Sequence, residues 1–108
     1  MRHICDCISF GLILHRYAHM MRANETAKLR RDVKHLKRQG VHLAPLQTVI
    51  VALVAEEPLA AHYRDHLLVG NWRGFRECHI QPDWLLIYRV ENNELQLART
   101  GSHAALFG

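Results

Sequence analysis

Three cysteines, three prolines and two tryptophans are all that these 108 residues hold of those types, and each scarcity narrows the field. An odd cysteine count, with Cys5, Cys7 and Cys78 in no scaffold-like spacing, argues against a disulfide framework and for a reducing cytoplasm. The apolar stretch 8–14 is far shorter than the roughly 20 residues a membrane-crossing helix needs. No small-x-small cleavage site follows it before Tyr17, so an export signal is not expected either. Internal repeats and low-complexity tracts are missing. Acidic residues are outnumbered, 10 against 14 Lys and Arg, which leaves a net charge of +4 and a pI near 9.3. That balance favours a polyanionic partner without naming one. Apolar residues make up 49% of the chain, enough for one compact domain with a modest core.

Two regions differ in character. Residues 1–19 combine His3, Cys5, Cys7, His15 and His19 with an apolar segment of no clean period and read as an N-terminal extension. Their spacing matches no common zinc pattern, so no metal is expected there. The domain proper spans 20–108. A short strand over 20–23 opens it, and Asn24 or Thr26 caps a helix over 25–39 that stops at Gly40. Leu29, Val33 and Leu36 form its apolar stripe, while Lys28, Arg31, Lys34 and Arg38 make a cationic face. That face reads either as a solvated surface or as a contact for phosphate or acidic protein. A second helix over 45–55 has Leu46, Val49, Ile50 and Leu53 on one side.

From Trp72 onward the pattern turns to strands over 72–79, 85–90 and 94–100. Asn92 and Asn93 suit a type I′ hairpin turn between the last two. Leu85, Leu86, Ile87 and Tyr88 are apolar on both faces, as a central strand requires. The expected fold is α+β, in the order β-α-α-β-β-β, with two N-terminal helices on a largely antiparallel four-stranded sheet.

The chemistry rests on His66, His79 and His103, each at a strand end or exposed turn. Imidazoles gathered on one surface can move protons near neutral pH without a metal. RNA carries its own nucleophile in the 2′-hydroxyl, so its cleavage needs a base, an acid and cations for the developing phosphorane charge. Asp83 can orient one of the imidazoles. Arg73, Arg76, Arg89 and Arg99 can bind phosphates, and Trp84 and Phe107 offer faces for stacking bases. Taken singly, each has a plainer reading: surface histidines, solvated arginines, aromatic rings in the core.

The combination is more specific. Tyr63-Arg64-Asp65-His66, Gly70 to His79, Pro82-Asp83-Trp84-Leu85-Leu86-Ile87-Tyr88, Arg99 to His103, and Leu106-Phe107 together resemble the YafQ branch of the RelE toxin family. The likeness covers about residues 20–108 and implies a RelE-like fold. It also implies a toxin of a type II toxin-antitoxin system, an mRNA interferase cutting messenger RNA in the ribosomal A site. By that resemblance the catalytic residues are His66, His79, Asp83 and His103, with the family's aromatic positions on Trp84 and Phe107; the reading of the residues themselves adds Arg73, Arg76 and Arg99 as RNA contacts. His66 or His79 would be the base and His103 the acid, with no cofactor. The implied partners are the ribosome, the messenger RNA and a cognate antitoxin that is acidic in its toxin-binding half. A non-enzymatic member of the same superfamily, binding a protein such as gyrase, is the alternative. Two features depart from the family pattern: Leu67 stands where proline usually follows the histidine, and residues 1–19 have no counterpart.

Overall fold

The computed structural model describes residues 21–108 together with the backbone of Arg2 and His3. The remainder of the extension, with Cys5, Cys7, His15 and His19, lies outside the described residues, as does the boundary expected at 19/20. The elements run β1 (Arg2–His3), β2 (Arg22–Glu25), α1 (Ala27–Arg38), α2 (Ala44–Val54), β3 (His66–Leu67), β4 (Arg76–Gln81), β5 (Trp84–Glu91), β6 (Glu94–Gly101) and α3 (His103–Phe107). They form a six-stranded sheet in the order β1-β2-β6-β5-β4-β3. Among the described residues only the β2–β6 pair is parallel.

Both helices start and stop for local reasons. The Thr26 hydroxyl accepts the Leu29 amide at 3.0 Å, satisfying a donor that the first turn leaves free. At the other end Gly40 takes a φ of +78°, which glycine adopts without a Cβ clash. Leu29 and Leu36 are buried and Val33 packs against the same core, whereas Lys28, Arg31, Lys34 and Arg38 are exposed. In α2, Pro45 fills the first turn and Leu46, Val49, Ile50, Leu53 and Val54 are buried.

Asn92 and Asn93 have φ values of 53° and 59°, as a type I′ turn demands, and they close the β5–β6 hairpin. Strand β5 is buried from Trp84 through Tyr88 and alternates between two cores. Leu86 and Tyr88 face α1 and α2 with Cys78, Ile80, Leu95 and Leu97. Leu85 and Ile87 face the other way, against Leu106 of α3 and the loop residues Leu68, Trp72 and Phe75.

Four expectations need correction. The first domain strand runs Arg22–Glu25 rather than 20–23, so Glu25 is a buried strand residue and not the start of the helix. The strand expected over 72–79 begins only at Arg76, because Gly70–Trp72 is a 3-10 turn and Gly74 bends the chain with a φ of +92°. The sheet gains the two-residue strands β1 and β3 beyond the four expected. Finally, 103–107 is a helix, capped by the Ser102 hydroxyl accepting the Ala105 amide at 3.1 Å.

Ile50 is fully buried, at 0% exposure. Ile50→Ala is expected to lower the unfolding free energy by about 2–5 kcal/mol through the lost contacts and the cavity. Thr26→Ala should cost about 1 kcal/mol through the lost cap. Denaturant titration checks both, and an unchanged midpoint for Ile50→Ala contradicts the core assignment.

Candidate active site

Register alone gathers three of the predicted residues, His66, His79 and Arg99. His66 pairs with Glu77, Glu77 with Ile87 and Ile87 with Arg99, which makes one row across four strands. His79, Leu85 and Gly101 form the next row. Directly paired residues point to one side of a sheet, and Leu85 and Ile87 mark this side as the face opposite α1 and α2. Helix α3 packs on the same face through Leu106, bringing His103 and Phe107 with it.

His66 and His79 are neighbours, with ring centroids 6.4 Å apart. Between them lies the carboxylate of Glu77, its Oε1 3.3 Å from His79 Nε2 and 4.0 Å from His66 Nε2. The Glu77 side chain is 8% exposed, His79 20% and His66 51%. His66 Nδ1 lies 2.7 Å from the Arg64 carbonyl oxygen. A carbonyl only accepts, so Nδ1 carries the proton and Nε2 is the edge turned toward Glu77. Sequence reasoning missed Glu77, although a residue two before His79 on a strand must share its face.

His103 opens α3 and its ring lies 5.0 Å from that of Phe107, one turn later. Asp83, expected to hold an imidazole, instead accepts the backbone N–H of His103 at 3.2 Å. Its carboxylate ties the β4–β5 turn to the start of α3, the end of a helix where negative charge is favourable. Phe107 keeps 38% of its surface exposed.

Three expected RNA contacts are otherwise occupied. Trp84 is buried, and its indole N–H donates to the Thr100 hydroxyl at 2.9 Å, which in turn donates to the Leu85 carbonyl at 2.8 Å. Its ring therefore serves the core and offers no open face to a base. Arg76 points to the helix side with its partner Tyr88. Asp65 Oδ1 accepts both the Arg76 guanidinium, at 3.2 Å, and the Tyr88 hydroxyl, at 2.7 Å. Arg99 lies in the histidine row, yet Asp32 of α1 holds it through two bonds of 2.7 and 3.1 Å. The same carboxylate accepts the Thr100 amide at 3.1 Å. These hydrogen bonds push the Arg76 and Arg99 guanidinium pKa values above the ordinary one. Arg73 is exposed in the turn before β4, and no side-chain partner binds it among the described residues. Arg89 lies 4.8 Å from the Phe75 ring centre and is held by Gln96 and Glu91. No three His, Cys, Asp or Glu side chains converge to hold a metal among the described residues.

The family description "Bacterial toxin of type II toxin-antitoxin system, YafQ" matches residues 21–108. The chain belongs to the YafQ family of type II toxins. The mRNA interferase toxin YafQ of Escherichia coli strain K12 is 42% identical over 79 residues, 72% of this chain and 86% of that protein. In the crystal structure of the E. coli DinJ-YafQ toxin-antitoxin complex, a chain 37% identical superposes with a TM-score of 0.76, over 82% of this chain and 99% of that one. A metal-bound toxin from Helicobacter pylori, 42% identical, gives 0.77 over 82% of this chain and all of that one. The family shares the fold expected from the sequence, and the interval matched excludes the N-terminal extension.

Cys78 sits between Glu77 and His79 but faces the helix-side core and is fully buried. Burial pushes its thiol from 9.0 up to about 12, with the charges of Asp65 and Glu77 adding to the effect. The folded state therefore keeps the proton that an unfolded thiol releases first. The thiol's contribution to stability is complete below pH 9.0 and falls as pH climbs toward 12. Iodoacetamide at pH 9 is expected to label Cys78 quickly in urea and barely at all in buffer; equal rates contradict the burial.

Proposed function

We propose that this chain is an mRNA interferase, an endoribonuclease that cuts messenger RNA in the ribosomal A site by metal-free acid-base chemistry. The observation that carries the reading is the single sheet face shared by His66, His79 and His103, two of them 6.4 Å apart. Attack by the 2′-hydroxyl on the adjacent phosphorus needs a base at the oxygen and an acid at the leaving 5′-oxygen. His66 or His79 takes the first proton, and His103, anchored to the β4–β5 turn through Asp83, returns one to the leaving group. The products are a 2′,3′-cyclic phosphate and a 5′-hydroxyl.

Cationic help comes from two kinds of arginine. Arg73 is exposed and free to follow the RNA backbone. Arg99 is held by Asp32, which leaves three of its five N–H donors for a phosphate already in place. Phe107, half-exposed beside His103, is the ring available for stacking on a base. Trp84 supports the site from below.

The partners follow from charge and kinship. The related toxin seen with DinJ is bound to its antitoxin. Here the exposed Lys28, Arg31, Lys34 and Arg38 of α1 favour an antitoxin that is acidic where it meets this surface. Among the described residues no helix is long and apolar enough to cross a membrane, and the ribosome as site of action places the toxin in the cytoplasm.

Primer extension on a transcript translated in the presence of the toxin tests the reading. New 5′ ends at A-site codons are expected only when ribosomes are engaged, and none at all points to a protein-binding role instead. His103→Ala should reduce cleavage roughly 10²–10⁴-fold, the range for loss of a general acid, while circular dichroism and antitoxin binding stay unchanged. Full activity in that variant contradicts the acid assignment.

A further inference from the structure

We infer that Arg89 and Phe75 form a stacking platform on the histidine face, where an unpaired base of the messenger RNA next to the cut lies flat on the Arg89 guanidinium. The subsite rests on the reading that this face receives messenger RNA.

Alternate residues of β5 line the face in order. Leu85 belongs to the His79 row, Ile87 to the row of His66, Glu77 and Arg99, and Arg89 comes one step beyond. Two residues of strand put Arg89 roughly 7 Å past the His66 row, about the reach of a neighbouring nucleotide. Its direct partner on β6 is Gln96. Phe75, immediately before β4, packs on the same face together with Trp72. The backbone of Phe75 is held twice: its amide donates to the Trp72 carbonyl at 3.0 Å, and its carbonyl accepts the Leu68 amide at 2.9 Å. Trp72 meets the Phe75 ring at 87°, with centroids 5.3 Å apart, the edge-to-face arrangement that aromatic pairs favour.

The guanidinium is fixed on this base. Nε donates to Gln96 Oε1 at 2.6 Å, and a terminal nitrogen lies 3.1 Å from Glu91 Oε2. Guanidinium N–H bonds lie in the plane of the group, so both partners grip its edge. One face lies over the Phe75 ring, 4.8 Å from the centroid, a favourable place for a cation. The other face has no recorded partner among the described residues, and the side chain stays 37% exposed. The sequence suggests Arg89 as a phosphate ligand, but the adjacent Glu91 carboxylate offsets its charge, and edge donors are what a phosphate needs. A flat face next to a balanced charge suits a flat, uncharged π system. Unpaired bases stack on guanidinium planes as they do on aromatic rings. Because Gln96, Glu91 and Phe75 set the plane before RNA arrives, little side-chain freedom is lost on binding. Stacking uses the face of a base and leaves its edge unread, so this subsite contributes affinity with little sequence preference.

The test measures kcat and KM in ribosome-programmed cleavage of messages that carry an abasic nucleotide at successive positions on either side of the cut, with wild-type full chain and with Arg89→Lys, Phe75→Leu and Phe75→Tyr. With the wild type, loss of the base at one flanking position should raise KM roughly 10-fold. Arg89→Lys, which keeps the charge and loses the plane, should raise KM for the intact message by a similar factor with kcat within about twofold. In that variant the abasic message should then cost nothing further, because base and plane form one contact. Phe75→Leu should behave like Arg89→Lys, and Phe75→Tyr like the wild type. Arg89 lies at the surface, so circular dichroism of Arg89→Lys should match the wild type. Wild-type KM in Arg89→Lys, or an abasic penalty at every position that is the same in both proteins, overturns the inference. A wild-type protein that cuts no message on the ribosome overturns the reading beneath it.

Discussion

A strand buried on both faces must be covered twice, and in this protein β5 imposes that condition on everything around it. Leu86 and Tyr88 need α1 and α2 on one side, and Leu85 and Ile87 need a second, smaller core on the other. Each apolar side chain removed from water contributes on the order of 1.5–3 kcal/mol, so neither face can be left open. The second cover consists of Leu106 of α3 with Leu68, Trp72 and Phe75 from the loop before β4. These are the segments that bear His103 and flank His66. Hydrophobic burial on the lesser face is therefore what brings the histidine-bearing segments to one surface.

Carboxylates then decide which polar groups stay available. Asp65 takes Arg76 and the Tyr88 hydroxyl, Asp32 takes Arg99 and the Thr100 amide, Asp83 takes the His103 amide, and Glu77 lies between two imidazoles. The Tyr88 hydroxyl is held protonated well beyond its ordinary range, chiefly because it is buried. Formal positive charge in a sequence is thus a poor guide to positive charge on offer. The chain carries +4 overall, yet Arg76, Arg89 and Arg99 of the sheet are committed, and among the described residues exposed cations lie on α1, at Arg22 of β2, at Arg64 and in the turn at Arg73.

The main elements were legible because their signals are local. Apolar spacing, Thr26 as a cap, Gly40 as a stop and the Asn92–Asn93 turn each act within a few residues, and β5 declares itself by being apolar on both faces. What was not legible depends on partners distant in sequence. Glu25 reads as a helix residue until its strand pairs in parallel with β6. Trp84 reads as a stacking platform until Thr100, on another strand, takes its N–H. Arg76 and Arg99 read as phosphate ligands until Asp65 and Asp32 meet them. Family resemblance located the histidines, but Glu77 stayed hidden because its meaning comes from the register of a two-residue strand.

The central claim is that one imidazole takes the proton of the RNA's own 2′-hydroxyl as it attacks, while another protonates the leaving 5′-oxygen. The chemistry of the cut ends tests it most directly, because that nucleophile leaves a product no water-driven cleavage of the same bond can leave as its first species. Mass spectrometry of the upstream fragment, taken at early times from ribosome-programmed cleavage, is predicted to show a 2′,3′-cyclic phosphate, with a 5′-hydroxyl on the downstream piece. A 3′-hydroxyl with a 5′-phosphate would contradict the account.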